Sequence, residues 1–141
     1  MWQRFCSQRS SLSGMMQAGC TAVDAPVSGG DAGARNAALA IMAGGDVEVV
    51  ARLAPLFQCM GTVTHLGPAG CGQSCKIANQ VTIATTMVGL VEGLLYAHKA
   101  GLDLEQYLAA IRNGAAGSKS LELYSGRILT GDMTPGFMVK V

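Results

Sequence analysis

Residues Gln73 to Ala100 read QSCKIANQVTIATTMVGLVEGLLYAHKA and contain no proline. Apolar residues recur at Ile77, Val81, Ala84, Val88, Val91 and Leu95, spaced four and three alternately, which is the period of one helix face. A second stripe runs through Ile83, Met87, Leu90, Leu94 and Ala97. Two adjoining stripes predict a helix buried over most of its girth, at the centre of a helical domain or between two domains. A membrane span is the competing reading. Asn79, Gln80, Thr82, Thr85, Thr86 and Glu92 interrupt the run often enough to argue against it.

Toward the C-terminus, Gly101 ends this helix, and Asp103 with Gln106 three residues on opens another through Arg112. Asn113 and Gly114 close that one, Lys119 starts a further helix through Leu129, and TGDMTPG is a loop. Toward the N-terminus the pattern changes. TAVDAPV from Thr21 is mostly apolar and suits a strand buried on both faces of a parallel or mixed sheet, which SGGDAGA then breaks. LAIMAGG (Leu39 to Gly45) and VTHLG (Val63 to Gly67) read as two more strands. Between them Asp46 caps a helix through Phe57, with Val47, Val50, Leu53, Ala54 and Phe57 on one face and Pro55 dividing it. The expected architecture is therefore α/β followed by all-α, with residues 1–68 as the α/β part and 69–141 as the helical part.

At 141 residues, half of them hydrophobic, the chain can bury a core. A net charge of +1 is too small for the footprint of a nucleic-acid binder, so no nucleic-acid partner is expected. The first 23 residues hold Arg4 and Arg9, several serines and no acid. That composition fits a mitochondrial transit peptide, or the tail of an ordinary helix over Leu12 to Ala18, so the compartment is cytosolic or mitochondrial. Five cysteines form no regular framework and read as reduced thiols. Cys71 and Cys75 are four apart, with His65 nearby. Without a CxxC pair this is better read as small apolar packing than as zinc, and no metal is expected.

Two segments carry chemistry. Lys76 stands in the first turns of the long helix, beside an apolar stripe and with no acidic residue in sequence reach. Partial loss of water suits it to give and take a proton. Asn79 and Gln80, three and four residues on, share its face and offer amides to orient the lysine or a substrate oxygen. Ser28, Gly29 and Gly30 follow a strand, and paired glycines beside a hydroxyl let successive N–H groups converge on a carboxylate. Each motif also has a plain reading, a snorkelling surface lysine or a strand-ending turn, and neither is specific alone.

Taken together, DAPVSGG (Asp24 to Gly30), the GARNAALAIMAGGD that follows and GPAGCGQSCKIANQ (Gly67 to Gln80) resemble the β-hydroxyacid dehydrogenase family, from about Ala18 onward. Its members include 3-hydroxyisobutyrate dehydrogenases and glyoxylate/succinic semialdehyde reductases. They are oxidoreductases related to 6-phosphogluconate dehydrogenase, with a Rossmann-type domain leading through a long helix into a helical domain. The resemblance implies Lys76 as catalytic acid/base. It also implies Ser28, Gly29 and Gly30 as holders of the substrate carboxylate, with Asn79 or Gln80 as a substrate-binding amide. It implies NADP or NAD as cofactor, a semialdehyde or β-hydroxy acid as substrate, and a possible homo-oligomer. Two departures stand against it. The GxGxMG loop with which the family begins has no match before Asp24, so the cofactor-binding residues are unknown. Gly136 and Phe137 match the family's GF, but the lysine expected beyond it has no counterpart, and Lys140 is not that lysine. A nearly inactive fragment is the expectation, with an interaction fragment as the alternative.

Overall fold

Proline has no N–H to give a ladder, and Pro26 shortens the first strand accordingly. In the computed structural model, which describes residues 21–135, only Val27–Ser28 forms strand β1. The expected strand from Thr21 survives otherwise as a single bridge between Asp24 and Gly44. Nor is it buried on both faces, because Val27 is exposed. The expected break after it is instead a short helix, α1 (Gly30–Arg35). It is closed by a bond from the Ala38 N–H to the Gly33 carbonyl (2.8 Å), the six-to-one closure of a Schellman-type end.

Strand β2 (Leu39–Ala43) lies in the middle of a three-stranded mixed sheet. It pairs antiparallel with β1, Val27 opposite Ile41, and parallel with β3 (Gly61–His65), Ile41 opposite Val63. Alternation along β2 sends Leu39, Ile41 and Ala43 to one face, where they pack with Val50 and Phe57. Those two come from α2 (Val47–Arg52) and α3 (Ala54–Gln58), which divide at Leu53 just before Pro55, as the sequence predicts. The Asp46 carboxylate caps α2 by accepting the N–H groups of Glu48 (2.9 Å) and Val49 (3.3 Å). Val47, expected on the buried face, is exposed.

The long helix α4 is Cys71–Lys99, within two residues of its sequence bounds. The chain divides into two compact units between Asn79 and Gln80, and α4 contributes its first turns to one and the rest to the other. In the second unit, Asp103 caps α5 (Leu104–Ile111) through the Gln106 N–H (2.8 Å), and Ser118 caps α6 (Lys119–Leu129) through the Leu121 N–H (3.1 Å). Leu90 and Leu94 of α4, Leu108 of α5 and Leu121 of α6 make its core.

The two stripes of α4 differ, against the expectation of burial over most of its girth. The second is covered from Leu90 onward, with Leu94 at 4% and Ala97 at 1% exposure though Ile83 at its start is exposed, while in the first Val81, Val88 and Leu95 are 62%, 57% and 55% exposed. One stripe meets α5 and α6, and the described residues supply no layer for the other. By length and mean hydropathy (1.3) α4 also passes as a candidate membrane span, with 17% of that stretch buried. The polar interruptions are thus too few to exclude it on composition. Two of them are satisfied within the helix, Thr85 and Thr86 donating to the carbonyls of Val81 (3.0 Å) and Thr82 (2.8 Å).

After α6 the chain turns through Asp132, whose carboxylate accepts from Arg127 (2.9 Å) and from the Thr134 N–H (3.0 Å). The Arg127 guanidinium, and then the Thr134 hydroxyl and N–H, hold the Asp132 carboxyl far below the usual carboxylate range. A depressed folded-state value stabilises the turn above the ordinary aspartate range near 4 and is lost only as pH falls through the lower value. Carboxyl-detected NMR should find Asp132 still ionised at about pH 4, where a free aspartate is half protonated. Arg127→Ala should return it to the ordinary range.

Candidate active site

Lys76, Ile83, Leu90 and Ala97 are seven residues apart in succession, so they lie along one line of the helix. The face that is apolar from Ile83 onward, and buried from Leu90, is therefore polar before it, occupied by Lys76, Asn79 and Gln80. Lys76 and Asn79 are half-buried and Gln80 is exposed. The structure thus brings the three helical candidates onto one face. Among the described residues the ion pairs are Lys119 with Glu122 (2.7 Å) and Arg127 with Asp132 (2.9 Å); Lys76 belongs to neither.

The other candidates sit at the end of β1. Ser28 is half-buried and paired with Ala40. Gly29 and Gly30 follow with φ of 135° and 60°, a left-handed pair that side-chain-bearing residues adopt only under strain. The turn delivers the chain into α1, whose opening N–H groups have no partner inside the helix. A hydroxyl and a run of uncommitted donors at one turn suit a small carboxylate.

Asp24, the first residue of that segment, was not singled out by sequence reasoning. Its backbone pairs with Gly44, N–H to carbonyl in both directions (3.0 and 2.8 Å). Its side chain leaves the sheet for the start of α4, accepting from the Gly70 N–H at 2.6 Å and the Gln73 N–H at 2.7 Å. Close approach is possible because two neighbours lack a Cβ. One built on Gly72 would lie 2.2 Å from the Met42 carbonyl oxygen and 2.8 Å from Asp24 Oδ2, and one on Gly44 2.6 Å from Asp24 Oδ1. The two motifs of the sequence are thereby joined by one carboxylate. Nothing local marks it, since the bonded residues are 46 and 49 positions away.

Cys71 and Cys75 are half-buried free thiols, and His65 Nε2 lies 2.9 Å from the Gly45 carbonyl oxygen. Among the described residues no three His, Cys, Asp or Glu side chains gather as metal ligands would. A cleft of about 270 Å³ in the helical unit is lined by Thr86, Leu90, Tyr107 and Leu121 among others. It holds none of the candidates.

Two family descriptions together match residues 5–141. The NAD binding domain of 6-phosphogluconate dehydrogenase matches residues 5–71, and the NAD-binding domain of NADP-dependent 3-hydroxyisobutyrate dehydrogenase matches residues 70–141. The chain belongs to the β-hydroxyacid (3-hydroxyisobutyrate) dehydrogenase family. A probable 3-hydroxyisobutyrate dehydrogenase-like protein of Arabidopsis thaliana, named as mitochondrial, is 62% identical over 120 residues, 85% of this chain and 36% of its own length. The 2-hydroxy-3-oxopropionate reductase of Escherichia coli is 41% identical over 138 residues, 97% of this chain and 45% of its own. The solved 3-hydroxyisobutyrate dehydrogenase of Mycobacterium tuberculosis, with L-serine, superposes with a TM-score of 0.81 at 29% identity, covering 94% of this chain and 48% of that one. The chain thus spans less than half the length of these relatives. Membership makes it part of an NAD(P)-dependent oxidoreductase family with a Rossmann-type nucleotide domain.

The start of α4 is not a pyrophosphate cradle. A cradle needs open N–H groups at a helix start after a glycine loop. At α4 the Gly70 and Gln73 N–H groups are taken by a carboxylate, which repels an anion.

Proposed function

We propose that this chain supplies the substrate-anchoring and proton-transfer groups of an NAD(P)-dependent oxidoreductase acting on a short β-hydroxy acid or semialdehyde. The observation that carries the reading is the polar face Lys76–Asn79–Gln80, on a helix clamped to the segment that ends in Ser28–Gly30. In this reading Ser28 and the backbone of Gly29 and Gly30 hold the substrate carboxylate. Lys76 gives a proton to the carbonyl oxygen in reduction and takes it from the hydroxyl in oxidation, and Asn79 or Gln80 orients that oxygen. Residues 1–68 then form a Rossmann-type layer and 69–141 the start of the helical domain, in the cytosol or the mitochondrion. We read α4 as a helix of that domain and not as a membrane span, because Lys76, Asn79, Gln80 and Glu92 would be costly in hydrocarbon.

The 141-residue polypeptide alone is expected to bind no nucleotide, for want of a GxGxxG loop in its sequence. Fluorescence titration with NADPH, followed by an absorbance assay with succinic semialdehyde and glyoxylate, tests this. Turnover abolished by Lys76→Ala would show that the chain is a complete catalyst and that this expectation is wrong. Ser28→Ala tests the anchor in any active form. Loss of one hydrogen bond to a carboxylate should raise KM about tenfold and leave kcat within a factor of about two.

A second reading rests on the bare stripe Val81, Val88, Leu95, which suits association with another subunit. Light scattering on the eluting chain distinguishes them. A dimer that Val88→Glu converts to monomer supports association, and a monomer from the outset removes it.

A further inference from the structure

Resting on that proposed site, the geometry points to Asp24 as the positioning residue that fixes the catalytic lysine relative to the carboxylate anchor. We infer that it acts through the backbone of Gly70 and Gln73 and touches no substrate.

A helix normally receives its cap from the residue just before it, whose side-chain oxygen accepts an N–H two or three positions on. In α4 that residue is Gly70, which has no side chain, and the first helical residue is Cys71. Asp24 fills the role from another element. One oxygen takes the N–H of Gly70 and the other that of Gln73, so the first turn is gripped at both ends. Lys76 follows Gln73 by three residues, one turn along the same helix. On its other side Asp24 is fixed by two backbone bonds to Gly44, and four residues later the chain reaches Ser28. A single residue therefore belongs both to the strand segment that presents the anchor and to the cap that sets the height and rotation of the lysine's helix.

The chemistry of the pair calls for a carboxylate. Two N–H donors face two oxygens, at the end of a helix where negative charge is favoured. An asparagine has one acceptor oxygen and would turn its NH2 against the remaining N–H. The glycines at 44 and 72 agree with this, since a Cβ on either would press directly on the Asp24 oxygens.

The test uses the full 141-residue chain, isotope-labelled, with and without Asp24→Asn. Amide exchange at Gly70 and Gln73 is followed beside Ile41, whose strand lies in the core of the same unit. In parallel, succinic semialdehyde is titrated while the Gly30 amide and the Lys76 side-chain signals are observed. The expected result for Asp24→Asn is exchange about tenfold faster at Gly70 and Gln73 with Ile41 unchanged. Wild-type Gly30 and Lys76 should shift together along one saturation curve, and in the variant only Gly30 should still respond. Unchanged exchange at Gly70 and Gln73, or a joint response surviving in Asp24→Asn, overturns the inference while leaving the site reading intact. Absence of any joint response in a folded wild type sinks the site reading, and the positioning role with it. Should Asp24→Asn lose the protection of Ile41, Asp24→Glu decides. It keeps both oxygens and displaces them by one methylene, so a joint response at least about threefold weaker is expected, and one equal to wild type overturns the assignment.

Discussion

Lys76→Ala is expected to lower kcat by about 10²- to 10⁴-fold with little change in KM, the range that general acid–base groups contribute. The host for this measurement is the E. coli 2-hydroxy-3-oxopropionate reductase carrying this chain in place of its matching 138 residues, a replacement at 41% identity. In reduction the carbonyl oxygen gains negative charge as the carbon is reduced, and a neighbouring ammonium both offsets that charge and delivers the proton. Alanine removes both effects from the transition state. In the proposed site the substrate carboxylate is held elsewhere, at Ser28–Gly30, so ground-state binding should survive, and a fall in kcat without a rise in KM is the signature. Lys76→Arg keeps the charge but holds its protons too tightly to give one up, so it should recover only a minor part of the rate. Equal kcat in Lys76→Ala and the parent would remove the lysine from the mechanism.

The candidate residues were legible because they lie in short contiguous runs. Lys76, Asn79 and Gln80 share a face by helix spacing alone, and that face is where the structure puts them. The caps were equally local. Asp46 and Asp103 each bond within three residues, so their caps could be read directly from spacing; Ser118 caps α6 at the same spacing but was not read as a cap. Asp24 was not legible. It closes a gap of 46 to 49 residues, and in sequence it is only an acid inside an apolar run. Helix α1 escaped for a related reason. Gly29 before it and Gly33 within it read as a break, yet they admit Leu39, whose Cδ2 would lie 3.2 Å from a Cβ at either position. Packing overrides helix propensity there.

Periodicity also found both stripes of α4 without ranking them. Which stripe is covered depends on where α5 and α6 lie, and that follows from the turns at Gly101 and Asn113–Gly117, not from α4 itself. The outcome has an energetic consequence, because the described part of the helical unit rests on one contact layer. Its core consists of Leu90, Leu94, Leu108 and Leu121, with Tyr107, Ile111 and Tyr124 among the partly covered residues around them.

Leu121→Ala is accordingly expected to destabilise the helical unit by about 2–5 kcal/mol, the cost of a large-to-small change in a buried site. Leu121 is 2% exposed and follows the Ser118 cap, so it is held where α6 meets α4 and α5. Collapse around the missing side chain is hindered because the cleft lined by Thr86, Leu90 and Tyr107 already adjoins it, and enlarging a void forfeits contacts that no neighbour restores. Leu123, two residues on and 54% exposed, provides the control, and Leu123→Ala should stay within about 0.5 kcal/mol. Urea unfolding followed by far-ultraviolet circular dichroism measures both. With a stability no larger than about 5–15 kcal/mol to draw on, Leu121→Ala should shift the midpoint well below that of Leu123→Ala. Equal midpoints would mean that α6 does not pack on α4 in solution and that the single contact layer is wrong.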